Sequence, residues 1–442
     1  MKKSTLTLAV ALGVLAQQAG AAGFIEDSKA TLKLRNFYIN TDNRNHGTNT
    51  TSNYQEEWGQ GFQLDYTSGF TEGTVGFGVD AIGLLGIRLD SGKGRHGNPT
   101  SASYAGSVFP TEGDGRAVND FSSLGAAAKV KVSQTELRYG TLLPKLPVIS
   151  YNDGRLLPQT FEGGQITSNE IKDLTLIGGQ IEHVKGRNST NNEGLSIAGA
   201  NNARTGQFSN QFRYAGADYK VTKDLLLQYY YGNLEDFYKQ HFLGAVHNWA
   251  IGPGTLKSDF RYFHSTDDGA NSNDPTHYTT GYYGGTTTKG KVDNDLWSAL
   301  FLYTVAGHTF GGGYQQSRGD SDFPWLNQGD GSSNYTITDS QIQKFGRAGE
   351  RTWQARYAYD FAKVGLAGAT AGVTYLKGDN IEAAIGDRTE WERDITLAYV
   401  VPEGSLKGLG IMWKNATWRS DIANTKDQDE NRLILSYSIP LL

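Results

Sequence analysis

The sequence contains no cysteine, and its 442 residues include only two methionines, ten prolines and eight histidines. Without cysteine the chain can form no disulfide, no thiolate metal site and no cysteine nucleophile. Apolar residues make up only 38% of the chain, whereas average soluble domains hold about 45–50%. This composition argues against a soluble protein with several large apolar cores. The net charge of −5 argues against a nucleic-acid partner.

Long apolar runs are also missing. The apolar run from about Leu6 to Leu15 is much shorter than the roughly 20 residues that a membrane-spanning helix needs, and no later stretch could span a membrane as a helix. It follows Lys2 and Lys3 and precedes small residues that end at Ala22, which is the pattern of a secretory signal peptide. We predict that residues 1–22 are removed by cleavage after Ala22 or Ala21, and that the mature chain is exported to a bacterial envelope.

Glycine and aromatic residues are abundant instead, with 56 Gly, 24 Tyr and 19 Phe. Apolar residues alternate strictly with small or polar ones over many segments, as the even positions from Trp58 to Tyr66 illustrate. Helical spacing is nowhere sustained. Similar alternation occurs in the segments that start near Val75, Leu225, Trp297, Trp353, Ala369 and Leu433.

The connections between these segments distinguish a membrane barrel from a soluble sandwich. Short turns occur at residues 67–72, 221–224, 251–254, 305–307 and 402–407. They alternate along the chain with long Gly/Asn/Asp/Ser stretches at residues 41–54, 90–124, 186–206, 266–289, 318–349 and 420–429. An outer-membrane barrel has this asymmetry, with an apolar lipid face and aromatic girdles at the strand ends. We therefore predict an all-β transmembrane antiparallel barrel of about 18 strands that forms a single domain from residue 23 to residue 442.

Basic residues fall opposite the apolar positions of these segments, so we expect them to face the lumen. They are Lys33, Arg35, Arg138, Arg213, Arg261, Arg356, Lys414 and Arg432. The simplest interpretation is that they are solvated lumen residues, because charge on the lipid face is costly. Alternatively, several converge as a path for anions, since the first and last strands of a closed barrel are neighbours. A row of cations lets a carboxylate pass from one partner to the next.

The segment from Leu143 to Thr160 differs from the other loops. It holds three of the ten prolines, is unusually apolar, and includes Arg155. Such a stiff, apolar loop is expected to fold into the barrel and place Arg155 at a constriction. The alternative is a loop packed over the barrel rim.

Several motifs resemble those of the OprD-type substrate-specific porins of pseudomonads, also called the outer-membrane carboxylate channel (Occ) family. They are Gly23-Phe24-Ile25-Glu26-Asp27-Ser28 leading into Leu34-Arg35-Asn36-Phe37-Tyr38, Arg155-Leu156-Leu157-Pro158-Gln159-Thr160, Glu390-Trp391-Glu392-Arg393-Asp394, and Leu397-Ala398-Tyr399-Val400-Val401. The resemblance covers nearly the whole chain. It implies a monomeric 18-stranded barrel with an inward third loop, and a ladder of basic residues that draws carboxylates through a narrow opening.

Matched to this sequence, the ladder includes Arg35, Arg155, Lys414 and Arg432, with Arg138 close by, while Met412 replaces a further arginine. The family divides by substrate. In the branch that takes basic amino acids, an acidic residue of the seventh loop meets the amino group, and Asp320 or Asp322 could serve. The sequence around Arg155 is more similar to the branch that takes cyclic or aromatic carboxylates.

We therefore expect a passive channel of the outer membrane for small carboxylates that contacts lipid and lipopolysaccharide and needs no cofactor or metal. A general diffusion or sugar porin is the nearest alternative, although a sugar channel is lined by aromatics and not by cations. A surface hydrolase would require His264, Ser265 and Asp267 to face one another, whereas they enter a loop. A structural or adhesive barrel would not explain the inward cations.

Overall fold

The computed structural model describes residues 22–44, 54–92, 95–96, 106–197, 208–273, 291–327, 333–383, 386–422 and 425–442. The predicted signal peptide lies outside these ranges except for Ala22, so its cleavage stays a prediction. The main sheet has 18 strands. In chain order they are β1 Lys29–Asn43, β2 Tyr54–Thr67, β3 Val75–Asp90, β4 Asp120–Val132, β5 Thr135–Leu142, β6 Thr160–Ile171, β7 Leu174–Lys185, β8 Phe212–Lys220, β9 Leu225–Leu234, β10 Tyr238–Ile251, β11 Gly254–Asp267, β12 Asp293–Val305, β13 His308–Arg318, β14 Arg351–Asp360, β15 Ala369–Ile381, β16 Arg388–Val400, β17 Gly410–Ser420 and β18 Gln428–Pro440.

The sheet is closed into a barrel. β1 pairs antiparallel with β2 on one side, where Arg35 lies opposite Gly61. On its other side β1 pairs antiparallel with β18, where Arg35 lies opposite Ser436. Closure gives the backbone groups of both end strands a partner, as a membrane barrel requires. The predicted barrel of about 18 strands is confirmed.

Alternation of side chains explains which face of each strand points outward. Large apolar side chains such as Leu64, Phe77, Leu243 and Trp353 are exposed on the outer face. Their neighbours in sequence point to the inside, because successive side chains of a strand alternate. The exposed apolar side chains form the band that contacts lipid in a membrane barrel.

The two ends of the barrel differ as predicted. At one end the connections are tight: Ala306 and Gly307 join β12 to β13 with φ of 49° and 86°, which is the conformation of a two-residue hairpin turn. At the other end most connections are long, such as the one between β13 and β14. An exception is the link from β9 to β10, which has only the three residues 235–237.

In the part of the chain that the structure describes, the helices are short and lie outside the sheet. Two α-helices span Ala22–Glu26 and Ala270–Asn273, and a 3₁₀ helix spans Phe361–Val364. Neither α-helix is long and apolar enough to cross a bilayer. Two-residue strand pairs, Lys145–Leu146 with Ile149–Ser150 and Ser196–Ile197 with Leu326–Asn327, join loop segments.

Part of the interior is apolar. One buried cluster joins Phe37, Ile39 and Phe121 of the wall to Phe109 and Leu156 of the loops. A second cluster joins the inner faces of β7 to β12 to residues 142–149 and 323–326. Loop residues therefore share buried apolar clusters with inward-facing residues of the strands.

Candidate functional site

Seven of the predicted basic residues lie on strand positions that point inward, away from the exposed apolar face. They are Lys33, Arg35, Arg138, Arg261, Arg356, Lys414 and Arg432. Their orientation follows from the alternation alone.

Arg213 is the exception, and its predicted inward orientation is wrong. Its neighbours Phe212 and Tyr214 are buried, and Arg213 itself is exposed and donates a hydrogen bond to Gln180. The prediction assumed that apolar neighbours face lipid. Here they face inward because loop residues cover them with a buried apolar cluster, which includes Val148.

The segment of residues 143–159 contacts the inward face of β1 and β2. Leu156 is buried and lies against two glycines of β2, so that a Cβ on Gly59 or Gly61 would come within 2.8 or 3.0 Å of its side chain. The absence of a side chain at these glycines makes room for the segment. Phe109 of the preceding loop fills the rest of the space at Gly59.

Arg35 binds this segment through a carboxylate and a backbone oxygen. Its two terminal nitrogens donate to both carboxylate oxygens of Asp153, at 2.7 and 3.0 Å. Nη1 also donates to the carbonyl oxygen of Arg155 at 2.7 Å. This two-pronged contact is the one that a guanidinium offers to any carboxylate.

A cavity of about 340 Å³ lies between this segment and residues 333–344; we call it the central cavity. Five cations line it, and two carboxylates face them. The cations are Arg155, Arg187, Lys344, Lys414 and Arg432, and the carboxylates are Asp153 and Asp339. Lys344 forms an ion pair with Asp339. The predicted residues Arg155, Lys414 and Arg432 are thus brought together.

The register of β17 and β18 places Lys414 directly opposite Arg432. Arg432 donates to Glu430 at 2.6 Å and to the carbonyl oxygen of Gln341 at 2.9 Å. Arg155 reaches the same Glu430 at 4.0 Å. Among the residues that the structure describes, Lys414 has no hydrogen bond or ion pair, so its ammonium is available to a ligand.

Two further cavities lie beyond the central one. The first, of about 370 Å³, is lined by Lys33, Arg35 and Arg138 and shares Asp153 with the central cavity. Lys33 is paired there with Asp65 at 2.6 Å, and Arg138 approaches Asp80 at 3.3 Å. The second, of about 380 Å³, is lined by Arg356 and shares Lys414 with the central cavity.

Lys33 and Arg35 are therefore separated from Lys414 and Arg432. On β18 the partners of Arg35 and Lys33 are Ser436 and Ser438, four and six residues beyond Arg432. The strands are adjacent as expected, but their cations line different cavities. Asp153 lies at the boundary.

Arg261 and Arg356 act as anchors for residues 333–350. Arg261 is held by Asp259 and donates to the carbonyl oxygen of Tyr335 at 2.9 Å. Arg356 donates to the carbonyl oxygen of Ile337 at 2.6 Å. Neither residue lines the central cavity.

The same segment is fastened to β16 by carboxylates whose attachment role was not predicted. Glu392 accepts hydrogen bonds from the backbone nitrogens of Ile342 and Gln343, both at 2.8 Å. Asp394 accepts from the nitrogen of Gln341 at 3.2 Å. The alternating acids of Glu390-Trp391-Glu392-Arg393-Asp394 were a usable signal, because they share one face of a strand.

Arg347 and Glu350 complete this attachment outside the sheet. Arg347 is buried and pairs with Glu390 at 3.1 Å, and its backbone nitrogen donates to Glu350 at 3.0 Å. Burial, reinforced by the nearby Glu390 carboxylate, raises the pKa of Glu350 well above its usual range.

Asp320 and Asp322, the predicted acidic partners of an amino group, are not brought to the central cavity. Asp322 is buried and accepts from the backbone nitrogen of Ala348 at 2.9 Å, and Asp320 is exposed. The carboxylates that do line the cavity are Asp153 and Asp339, which sequence reasoning missed along with the cations Arg187 and Lys344. Their loops carry no alternation that fixes orientation.

No enzyme-like cluster forms at His264. Its ring is exposed and pairs with Asp295 at 2.8 Å, while Ser265 points to the other face of β11 and is buried. Within the described ranges, no group of three or more His, Asp or Glu side chains is placed to hold a metal ion.

A closed 18-stranded barrel with inward cations suggests a porin, and comparison with known families decides the matter. A family model described as outer membrane porin, OprD family, matches residues 22–441. The chain belongs to this family. OprD-family membership and the barrel place the protein in the bacterial outer membrane as a channel and not as an enzyme.

Relatives agree along nearly the full length. The porin-like protein GalP of Pseudomonas putida is 37% identical over 440 residues, which cover 99% of this chain and 97% of GalP. The crystal structure of Pseudomonas aeruginosa OccK8 (OprE) is 62% identical with a TM-score of 0.86, covering 95% of this chain and 100% of that one. The Pseudomonas aeruginosa OpdK structure is 36% identical with a TM-score of 0.82, covering 95% and 100%. These Occ neighbours support a substrate-specific channel within the OprD family.

Proposed function

We propose that this OprD-family porin passively takes up small carboxylate-bearing nutrients, in particular cyclic and aromatic carboxylates. The observation that carries the proposal is the central cavity, where Arg155, Lys414 and Arg432 face a space of about 340 Å³. Several cations around an open space attract an anion, and several sites of moderate strength allow it to leave again.

The family neighbours favour the aromatic class. OpdK was crystallised with vanillate, an aromatic carboxylate, and another solved relative is described as a BenF-like porin from Pseudomonas fluorescens. The second flanking cavity adds the inward apolar side chains of Leu302 and Leu376 to the wall near Lys414. An aromatic ring could lie against these side chains while its carboxylate exchanges between cations.

We infer that the 143–159 segment narrows the channel. Its support is the set of contacts at the inward face of β1 and β2, where Leu156 fills the space above two glycines and Arg35 binds Asp153 and the carbonyl oxygen of Arg155. An anion that leaves the central cavity toward Lys33 and Arg138 has to pass Asp153, which lines both spaces.

We also propose that the porin works as a single barrel, because β1 and β18 close the sheet without a second chain. The exposed apolar band would then face lipid, with lipopolysaccharide in the outer leaflet. Size-exclusion chromatography with light scattering of the detergent-solubilised protein tests the monomer directly.

The channel proposal is tested by single-channel recording in a planar bilayer with benzoate or arginine on one side. We expect benzoate to permeate or block at low concentration, and Arg155→Gln to weaken that effect about tenfold, the loss of one charge-assisted hydrogen bond. Arg213→Gln is the matched control, because this arginine is exposed on the outer face, and should leave the benzoate effect unchanged.

Two other results would each overturn the proposal. A response to arginine in place of benzoate would assign the channel to basic amino acids, with Asp153 and Asp339 as partners for the substrate cation. A large current that is indifferent to both solutes and to Arg155 would leave a general diffusion porin.

A further inference from the structure

We propose that Asp153 is a specificity-determining residue that occupies the Arg35 guanidinium in place of the substrate carboxylate. This inference rests on the proposed function, since it concerns the carboxylate path. It assigns a role to an acidic residue inside a path that is otherwise defined by cations.

Asp153 contacts Arg35 in the geometry expected for a bound substrate carboxylate. Both carboxylate oxygens of Asp153 accept from Arg35, at 2.7 and 3.0 Å, as those of a bound carboxylate would. The two side chains are only partly buried, with 27% of Arg35 and 39% of Asp153 exposed. An ion pair that water reaches is weak enough for a competing carboxylate to displace.

The position of Asp153 gives this exchange a consequence. Asp153 lines both the central cavity and the cavity that holds Lys33 and Arg138. A substrate carboxylate that moves from one cavity to the other meets an Arg35 that is already neutralised. Asp153 thereby lowers the affinity of Arg35 for a substrate carboxylate. Conduction requires this, because no site on the path may hold its ion too tightly.

The backbone of the segment is held without the Asp153 carboxylate. Arg35 also donates to the carbonyl oxygen of Arg155 at 2.7 Å. Asn152 accepts from the Gly154 nitrogen at 2.8 Å and from Arg187 at 2.9 Å. Leu156 is packed in a buried apolar cluster. The variant Asp153→Asn is therefore expected to keep the loop in place while it frees the charge of Arg35.

The test compares Asp153→Asn, Arg35→Gln and the double variant in planar bilayers. For Asp153→Asn we expect benzoate blocking events about threefold to tenfold longer than in the unsubstituted channel. The reversal potential in a KCl gradient should shift toward anion selectivity. In the Arg35→Gln background, the same substitution should have neither effect. Asp224→Asn, which removes one charge from an exposed turn residue, is the control for net charge.

Each other outcome overturns the inference. Equal increases in conductance for cations and anions would show that Asp153 merely fastens the loop. An effect that persists without Arg35 would show a general charge effect. If the unsubstituted channel ignores benzoate, the proposed function fails, and the KCl reversal potential alone still decides between Asp153 acting on Arg35 and no such action.

Discussion

Lys414 should carry more of the carboxylate binding than any paired cation of the lumen. It lines both the central cavity and the one below it, and its ammonium has no hydrogen bond or ion pair to another described residue. A substrate carboxylate therefore has no hydrogen bond or ion pair of a described residue to displace there. The perturbation is Lys414→Gln, which keeps most of the side-chain length and removes the charge.

The magnitude follows from the type of contact. A hydrogen bond to a charged group is worth about 1.5–3 kcal/mol when both partners leave water. Lys414 is half-buried in the wall of an open cavity, so the lower end applies, and about 1.4 kcal/mol corresponds to a tenfold change in affinity. We expect the benzoate concentration for half-maximal block to rise about tenfold in Lys414→Gln.

The matched control is Lys33→Gln. It removes the same charge from the same lumen, but Lys33 is already neutralised by Asp65 at 2.6 Å. Single-channel block titrations at fixed ionic strength should show a change of less than about twofold for this control. Equal effects of both variants would mean that only net lumen charge matters. No effect of Lys414→Gln would refute the reasoning that an unpaired ammonium is the principal binding group.

Two further predictions concern the loops that shape the central cavity. Gly59→Val should displace residues 143–159, because its Cβ would lie 2.7 Å from Phe109 and 2.8 Å from Leu156; we expect a larger single-channel conductance and weaker selectivity. Gly312→Val, where the space is open, is the control and should leave conductance and selectivity unchanged. Similar currents in the two variants would contradict this packing. Because burial raises the pKa of Glu350, the folded loop favours its protonated form, so the attachment of residues 333–350 should weaken as pH rises from the usual carboxyl range through that raised pKa. Limited proteolysis of this segment across pH should show that weakening in the unsubstituted protein and no such slope in Glu350→Gln, and equal slopes would count against it.

Alternation of side chains made the barrel, its turns and most inward positions predictable from sequence. Each strand from β1 to β18 has one lipid face, and lipid tolerates almost no charge, so the parity of residues such as Arg35 and Lys414 is fixed by local sequence. The same rule failed for Arg213 because its apolar neighbours Phe212 and Tyr214 pack against loops inside the barrel. An apolar side chain indicates burial, and loops folded inside a barrel supply burial on its inner face as well.

The loop residues that line the central cavity could not be predicted from side-chain alternation. Arg187, Asp153 and Lys344 lie in connections without a period, so their orientation depends on hydrogen bonds between segments far apart in sequence. Asn152 and Arg187 illustrate this, since they meet at 2.9 Å from two different loops. No local pattern around either residue encodes that contact.

Inward arginines in this barrel serve two purposes that compete. Arg261 and Arg356 donate hydrogen bonds to the carbonyl oxygens of residues 335 and 337. Arg432 donates to Glu430 and to Gln341. A guanidinium has several donors in a fixed plane and suits the backbone oxygens of an irregular loop, whereas an ammonium on a flexible stem can follow a moving ligand. Some of the arginines that the sequence predicts to bind anions therefore hold the loops in place instead. It follows that the number of sites open to a carboxylate is smaller than the number of inward cations, and that Lys414 should dominate substrate retention in the central cavity.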